Sequence, residues 1–311
     1  MIAVLMAVYE PRLDWLREQL LSLNAQDYPR LRLYVRDDCS PTVSFETVKT
    51  LVEQFIAAFP YTIERNERNL GSTRTFERLT VEAEGDYFAY CDQDDIWLPE
   101  KIRISEEQIG SAGLICGDVI PVDANGGRLA DSITTLRPRI VFKQGPGLGE
   151  GLIYRSFVIG CTMLIRSNIA KAAAPFAQSM VHDHYLAWFC AQEHEIAVAK
   201  QPLLYYRLHG GNQTGVLTNI ATKQDYLHFH LGEFLSRLSD LSEHSDSEEL
   251  KRAAAWAQAR CDNAEKKGGA IRRLWALRDV NITTTLFEIV GLRLPEPLFQ
   301  WAIRLIRSGK L

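Results

Sequence analysis

The chain has 311 residues, 46% of them hydrophobic and 24% charged, with a formal net charge of −4. That is the composition of an ordinary globular protein, so disordered and fibrous classes are excluded, and there is room for one large α/β domain plus a smaller appendage. No stretch reaches the ~18 apolar residues a spanning helix requires, and the opening MIAVLMAV, with no basic region or cleavage site, reads as a buried strand rather than a signal peptide. In the first half short apolar runs alternate with helical patterns, the mark of βαβ units and a mainly parallel sheet. Strands are expected at 2–8, 31–36, 61–65, 87–91 and 114–116, with helices at 12–23, 44–58, 73–82 and 99–108. Residues 118–155 lose all periodicity and read as a long glycine-rich loop. A strand-like run at 157–165 follows, then a helix opening at His182-Asp183 and a strand pair ending at 203–209. Residues 236–249 read as a solvated helix end or linker, and the remainder as basic helix.

Open α/β sheets bind ligands just past the carboxyl ends of their strands. Those segments here are Tyr9-Glu10-Pro11, Asp37-Asp38-Cys39-Ser40, residues 66–71 and Asp92-Gln93-Asp94-Asp95. Alternation along an extended backbone puts Asp92 and Asp94 on one face and turns Gln93 away. Two hard oxygen donors so spaced suit Mg2+ or Mn2+ alongside phosphate oxygens. An acidic turn with Asp94 or Asp95 capping the helix near Pro99 is the plainer alternative.

The ordered set Ala7-Val8-Tyr9-Glu10, Asp37-Asp38-Cys39-Ser40, Asn69-Leu70-Gly71, Asp92-Gln93-Asp94-Asp95-Ile96-Trp97, His182-Asp183 and Tyr206-Arg207-Leu208-His209-Gly210-Gly211-Asn212 resembles the family 2 glycosyltransferases, and among them the bacterial rhamnosyltransferase-like members. Glu10 and Cys39 depart from the usual motifs, which have Asn and Gly there. The resemblance covers residues 1 to about 215. It implies a GT-A fold, a Rossmann-like mixed sheet flanked by helices, with a nucleotide-sugar-dependent catalytic domain over 1–215 and a C-terminal helical extension over 216–311. It further implies an inverting single displacement that moves L-rhamnose from dTDP-rhamnose, or a hexose from a UDP-sugar, onto a hydroxyl of a bacterial surface polysaccharide such as O-antigen. By the same resemblance Ala7, Tyr9, Glu10, Asp38, Asn69, Asp92 and Gln93 bind the donor, with Tyr9 and Asp38 at the base and Asp92 at the ribose. Asp94 is the principal ligand of Mn2+ or Mg2+, and His209 the second. Asp183 is the catalytic base, while Trp97, His182 and Arg207 contact the acceptor or support the site. Read without the resemblance, His209 is an ordinary surface histidine and Asp183 a helix cap.

Two alternatives lie in other classes: a nucleotidyltransferase making nucleotide sugars, and a non-catalytic glycan- or nucleotide-binding scaffold. Tyr9-Glu10-Pro11-Arg12 stands where the former would carry a Gly-rich phosphate loop, and Asp92, Asp94, Asp183 and His209 together disfavour the latter. Six scattered cysteines without a Cys-x-x-Cys pair fit a reducing cytoplasm and no disulfide framework. Residues 251–311 hold twelve Lys/Arg against five Asp/Glu, a charge of +7 that leaves −11 on the rest. Within them Leu298, Trp301, Ala302 and Leu305 share a helical face that Phe299, Ile303 and Ile306 widen beside Arg304 and Arg307. A basic helix with a broad apolar face and a tryptophan fits peripheral contact with the inner face of an anionic membrane. Packing on the protein itself or on a homodimer partner is the other reading. The partners expected are a nucleotide-diphosphate sugar and a glycan or lipid-linked glycan, and no nucleic acid.

Overall fold

The computed structural model describes residues 1–209 and 220–307. Gly210-Gly211-Asn212 of the last motif, the side chain of Arg307 and Lys310 lie outside the described residues. The chain divides into two compact units, Met1–Gly210 and Gly211–Leu311; the sequence placed its boundary after 215.

The first unit carries, in order, β1 (Ile2–Val8), α1 (Leu13–Asn24), β2 (Leu31–Asp37), α2 (Phe45–Phe55), β3 (Tyr61–Arg65), α3 (Ser72–Glu82), β4 (Tyr87–Cys91), β5 (Ile96–Trp97), α4 (Lys101–Ile109), β6 (Leu114–Cys116), β7 (Ile120–Val122), α5 (Ile133–Leu136), α6 (Gly149–Tyr154), β8 (Leu164–Arg166), α7 (Ser167–Ala172), α8 (His182–Cys190), β9 (Ile196–Val198) and β10 (Leu204–Arg207). Seven strands form one sheet in the order β3-β2-β1-β4-β8-β6-β9, and β5-β10-β7 form a second. β1 lies between parallel neighbours, with Ile2 opposite Leu31 and Tyr87. Its near-unbroken apolar run is what a strand covered on both faces requires. β8 runs antiparallel to both β4 and β6, which makes the sheet mixed. After β3 the order crosses β1 to reach β4, so the switch point lies between the carboxyl ends of β1 and β4. Tyr9 and Asp92 stand just past those two ends.

The expected loop at 118–155 is only partly loop. It contains β7, α5 and α6, because Asp118 accepts from Ile133 N and Thr134 Oγ1 at 3.0 and 2.8 Å and ties α5 to the end of β6. The expected strand at 157–165 is a 3₁₀ turn, Gly160–Thr162, before the short β8. Thr162 Oγ1 donates to Ile159 O and accepts from Gly117 N, which turns the backbone out of strand geometry. The cap alternative for Asp94 and Asp95 fails: α4 begins at Lys101, and neither aspartate is its N-cap.

The second unit comprises α9 (Lys223–Asp225), a π-helical stretch Tyr226–Gly232, α10 (Glu233–Ser242), α11 (Glu248–Ala264), α12 (Ala270–Ala276), α13 (Ile282–Gly291) and α14 (Glu296–Arg307). Residues 236–249, read as a solvated helix end or linker, are the end of α10 followed by a short link at 243–247, since Leu238 and Leu241 carry α10 into the core and Ser247 caps α11 through Leu250 N. At its centre Arg260 gives Glu288 Oε1 two hydrogen bonds of 2.8 and 2.6 Å, and Tyr226 Oη adds a third at 2.9 Å. Phe299 and Ile303, read as part of an apolar face that meets either a membrane or the protein itself, are buried against Ile220 and Tyr226. One turn apart, they form the inner stripe of that helix, while Leu298 and Trp301 stay about half exposed. No helix among the described residues is long and apolar enough to cross a membrane.

Candidate active site

β1 delivers Tyr9 and Glu10 to the switch point. Tyr9 is exposed, and its backbone N–H and C=O pair with the Gln93 amide at 2.9 and 3.0 Å, bridging the ends of β1 and β4. Gln93, expected on the donor, thereby also locks the crevice. Ala7 lies half-buried between buried neighbours near the end of β1. Glu10 sits at φ 45°. Its carboxylate accepts from Thr42 N and Val43 N at 2.8 and 3.1 Å and from the Thr42 hydroxyl, so in this arrangement it staples the 40–43 loop. Asp38 is likewise engaged internally. It is buried and accepts from Asn66 Nδ2, Leu70 N and Gly71 N at 2.8, 2.8 and 2.9 Å. Its immediate task is to hold the loop that carries the exposed Asn69, whose Oδ1 caps Gly71 N at 3.1 Å. Gly71 at φ 82° has a conformation L side chains rarely adopt.

The acidic turn is the centre of the site. Burial raises Asp92 well above the usual carboxylate range, and the charges of Asp95, Asp94 and Asp183 push it further. Asp94 Oδ2 lies 2.8 Å from His209 Nε2. Asp95, which the sequence reading left out of the site, is buried; its Oδ1 accepts from Arg207 N at 3.1 Å, and its pKa is pushed up to about 7 by burial and then by Asp94. Arg207 is a supporting residue, 2% exposed, with Nε on Asp94 O at 2.9 Å, Nη1 on Ala124 O at 3.2 Å and Nη2 on Glu18. Trp97 is 2% exposed with the Lys101 amine 3.3 Å from its ring centre. It lies in the core, so its expected acceptor contact falls away and a supporting role is left.

Two donor sets offer themselves to a cation. Asp92, Asp95 and Cys161 have ligand atoms within 4.8 Å of one another. Yet Asp95 already holds the Arg207 amide, and a soft thiolate such as that of Cys161 is a poor match for the hard ions Mg2+ and Mn2+. Asp94 and His209 fit better: a carboxylate and an imidazole, hydrogen-bonded to each other at 2.8 Å and both partly exposed, are side by side and could turn their ligand atoms to one ion.

Asp183 occupies the first turn of α8, whose N-cap is Val181, so it is not the capping residue. Its carboxylate accepts from His184 N at 2.7 Å, and burial lifts its pKa to about 6 against the lowering effect of the His184 and Gly160 amides. A Cβ at Gly160 would come within 3.1 Å of the Asp183 side chain, so the glycine leaves room for it. The neighbouring His182 is buried, 3.9 Å from the Phe76 ring, and burial pushes its pKa down to about 3. It is a neutral packing group.

Comparison with known proteins identifies the family and the fold. The model of the family described as glycosyl transferase family 2 matches residues 3–172. The dTDP-rhamnosyl transferase RfbG of Shigella flexneri is 26% identical over 229 residues, which are 68% of this chain and 74% of that protein. TarS 1–349 of S. aureus in complex with UDP-GlcNAc superposes with a TM-score of 0.61 at 14% identity, over 99% of this chain and 92% of that one. The Pyrobaculum calidifontis mannosyltransferase PcManGT, in complex with GDP-Man and Mn2+, gives 0.56 at 12% identity over 99% and 79%. The fold is GT-A.

Proposed function

The chain belongs to glycosyl transferase family 2 and is a glycosyltransferase, and on that premise we propose that it moves L-rhamnose from dTDP-rhamnose onto a hydroxyl of a bacterial surface glycan, with inversion. The relative named as a dTDP-rhamnosyl transferase supports the donor, with UDP-hexoses as the runner-up. The observation that carries the reading is that two kinds of group meet at the acidic turn: Asp94 pairs with His209, and the raised carboxylate of Asp183 lies near enough to raise Asp92.

Asp94 and His209 would hold Mn2+ or Mg2+, which when bound offsets charge on the leaving nucleoside diphosphate. Tyr9, Asn69, Asp92 and Gln93 bind and orient the nucleoside. Asp183, ionised above pH ~6, takes the proton of the acceptor hydroxyl as its oxygen bonds to the anomeric carbon and the bond to the diphosphate oxygen breaks. With Asp183 as the base, Asp94 assigned to the cation, Asp92 to the nucleoside and Asp95 held by Arg207 N, this reading leaves no site carboxylate among the described residues as a covalent nucleophile, so the displacement is single and the configuration inverts. A donor screen with Mn2+, followed by proton NMR of the first-formed product, tests this. Turnover of a nucleotide sugar other than dTDP-rhamnose alone reassigns the donor, and a retained configuration overturns the mechanism.

The second unit also supports a peripheral contact with an anionic membrane. Ile282, Leu286 and Val290 lie on one stripe of α13 and are 46, 47 and 58% exposed, in the region whose charge is +7. Apolar stripes with basic neighbours bind anionic interfaces.

A further inference from the structure

We propose that Trp15 is a positioning residue for the cation site. The inference rests on the assignment of Asp94 and His209 to the ion. Trp15 and Glu18 lie one helical turn apart on α1, and both reach the end of β10. The Trp15 ring is buried, with its centre 4.9 Å from that of the His209 imidazole and 5.0 Å from the Arg207 guanidinium. Its Nε1 donates to Ala124 O at 3.2 Å, the same carbonyl that accepts Arg207 Nη1. Glu18 takes Nη2 of that guanidinium, and its Nε holds Asp94 O at 2.9 Å. The indole therefore touches one expected ligand directly and is joined to the backbone of the other through a single side chain.

A ligating histidine left free to rotate loses conformational freedom on binding, and an ordered one has less to lose. Groups that orient ligands from behind change metal affinity by about 10–100-fold. The Trp15 face restricts the His209 ring, while the Ala124–Arg207–Glu18 bracket fixes the height of the Asp94 turn. Trp15 is buried and acts through His209 and Arg207, so its effect is expected on cation affinity and not on the chemical step.

The test measures free Mn2+ by electron paramagnetic resonance, with nucleoside diphosphate present and no turnover. Trp15→Leu removes the ring face, and Trp15→Phe restores it without the Nε1 donor. The leucine variant is expected to bind Mn2+ about tenfold more weakly, and the phenylalanine variant within about threefold of wild type. The Mn2+ concentration for half-maximal rate should rise in the leucine variant while kcat at saturating Mn2+ stays within about twofold. Glu18→Gln, at a half-exposed surface position, is the variant to read if Trp15→Leu does not fold, with a loss of about threefold expected. Wild-type Mn2+ affinity in folded Trp15→Leu, or in Glu18→Gln where that variant must stand in, overturns the proposal. His209→Ala separates the two levels. If it too binds Mn2+ normally, the assignment of the cation site is wrong; if it alone is weakened, only the role of Trp15 is.

Discussion

At the residue scale the site is a group of carboxylates held near one another, and its properties follow from burial and mutual repulsion. Asp183 shows the consequence most simply. Its folded pKa of about 6 lies above the ordinary aspartate value of 3.8, so ionising it costs the folded state more than the unfolded one. Stability is therefore lost as pH rises from about 4 through 6 and stays lowered above that. Asp183→Asn should cut turnover at least ~100-fold, because an amide cannot take the acceptor's proton. The same change should stabilise the first unit by about 1–2 kcal/mol at pH 7.5, with the gain shrinking toward pH 4.5. Parallel melts at the two pH values check this, and a variant that is inactive yet no more stable at pH 7.5 would contradict the burial account. Asp94→Ala, measured by calorimetry with Mn2+ or with EDTA, should lose the cation-dependent part of nucleoside diphosphate binding. Equal wild-type affinities under the two conditions would remove the cation from the reading.

At the scale of elements, short strands and turns set which groups meet. The β5-β10-β7 sheet brings Arg207 beneath the acidic turn, and the 3₁₀ turn at Gly160–Thr162 leaves room for Asp183. In the second unit the joint between α11 and α13 is the buried Arg260–Glu288 pair, both residues 1% exposed or less, with Glu288 Oε2 lacking a hydrogen-bond partner among the described residues. Removing one partner strands the other charge, so Arg260→Met should destabilise this unit by about 3–5 kcal/mol. Arg260→Met with Glu288→Leu should recover most of that loss, because the stranded charge is gone. Urea denaturation of the three proteins measures it, and a double variant as unstable as the single one would mean that the pair contributes through packing alone.

At the scale of the whole molecule, an acidic unit holding the site is joined to a helical one whose residues 251–311 carry a charge of +7. Leu286→Glu with Val290→Glu places charge in the exposed stripe of α13 without touching its buried residues Thr285 and Glu288. The full chain is expected to sediment with vesicles containing anionic lipid at ~50 mM salt and to release near 500 mM as the attraction is screened, whereas the doubly substituted protein should stay in solution at both. Failure of the unaltered chain to sediment at low salt would sink the membrane contact, and a concentration-dependent mass by light scattering would assign the stripe to a second copy instead.

The central strands and most of their helices were legible because their information is local. The runs at 2–8, 61–65, 87–91 and 114–116 coincide with β1, β3, β4 and β6: β1, β4 and β6 are buried and so nearly continuously apolar wherever they lie in the fold, while the half-exposed edge strand β3 shows only its Tyr-Thr-Ile start. The acidic turn was legible for a related reason: two carboxylates at i and i+2 past a strand end declare themselves in four residues. What only the tertiary structure decided involves partners far apart in the chain. Asp95 lies in the same tetrapeptide, but its engagement with Arg207 N spans 112 residues, and the Trp15–His209 contact spans more still. Nothing local marks either. The same holds for Phe299 and Ile303: the helical period showed that α14 has an apolar face, but which part turns inward was set by Tyr226 and Ile220 waiting across the unit. Periodicity reports that a face is apolar; only packing says what covers it.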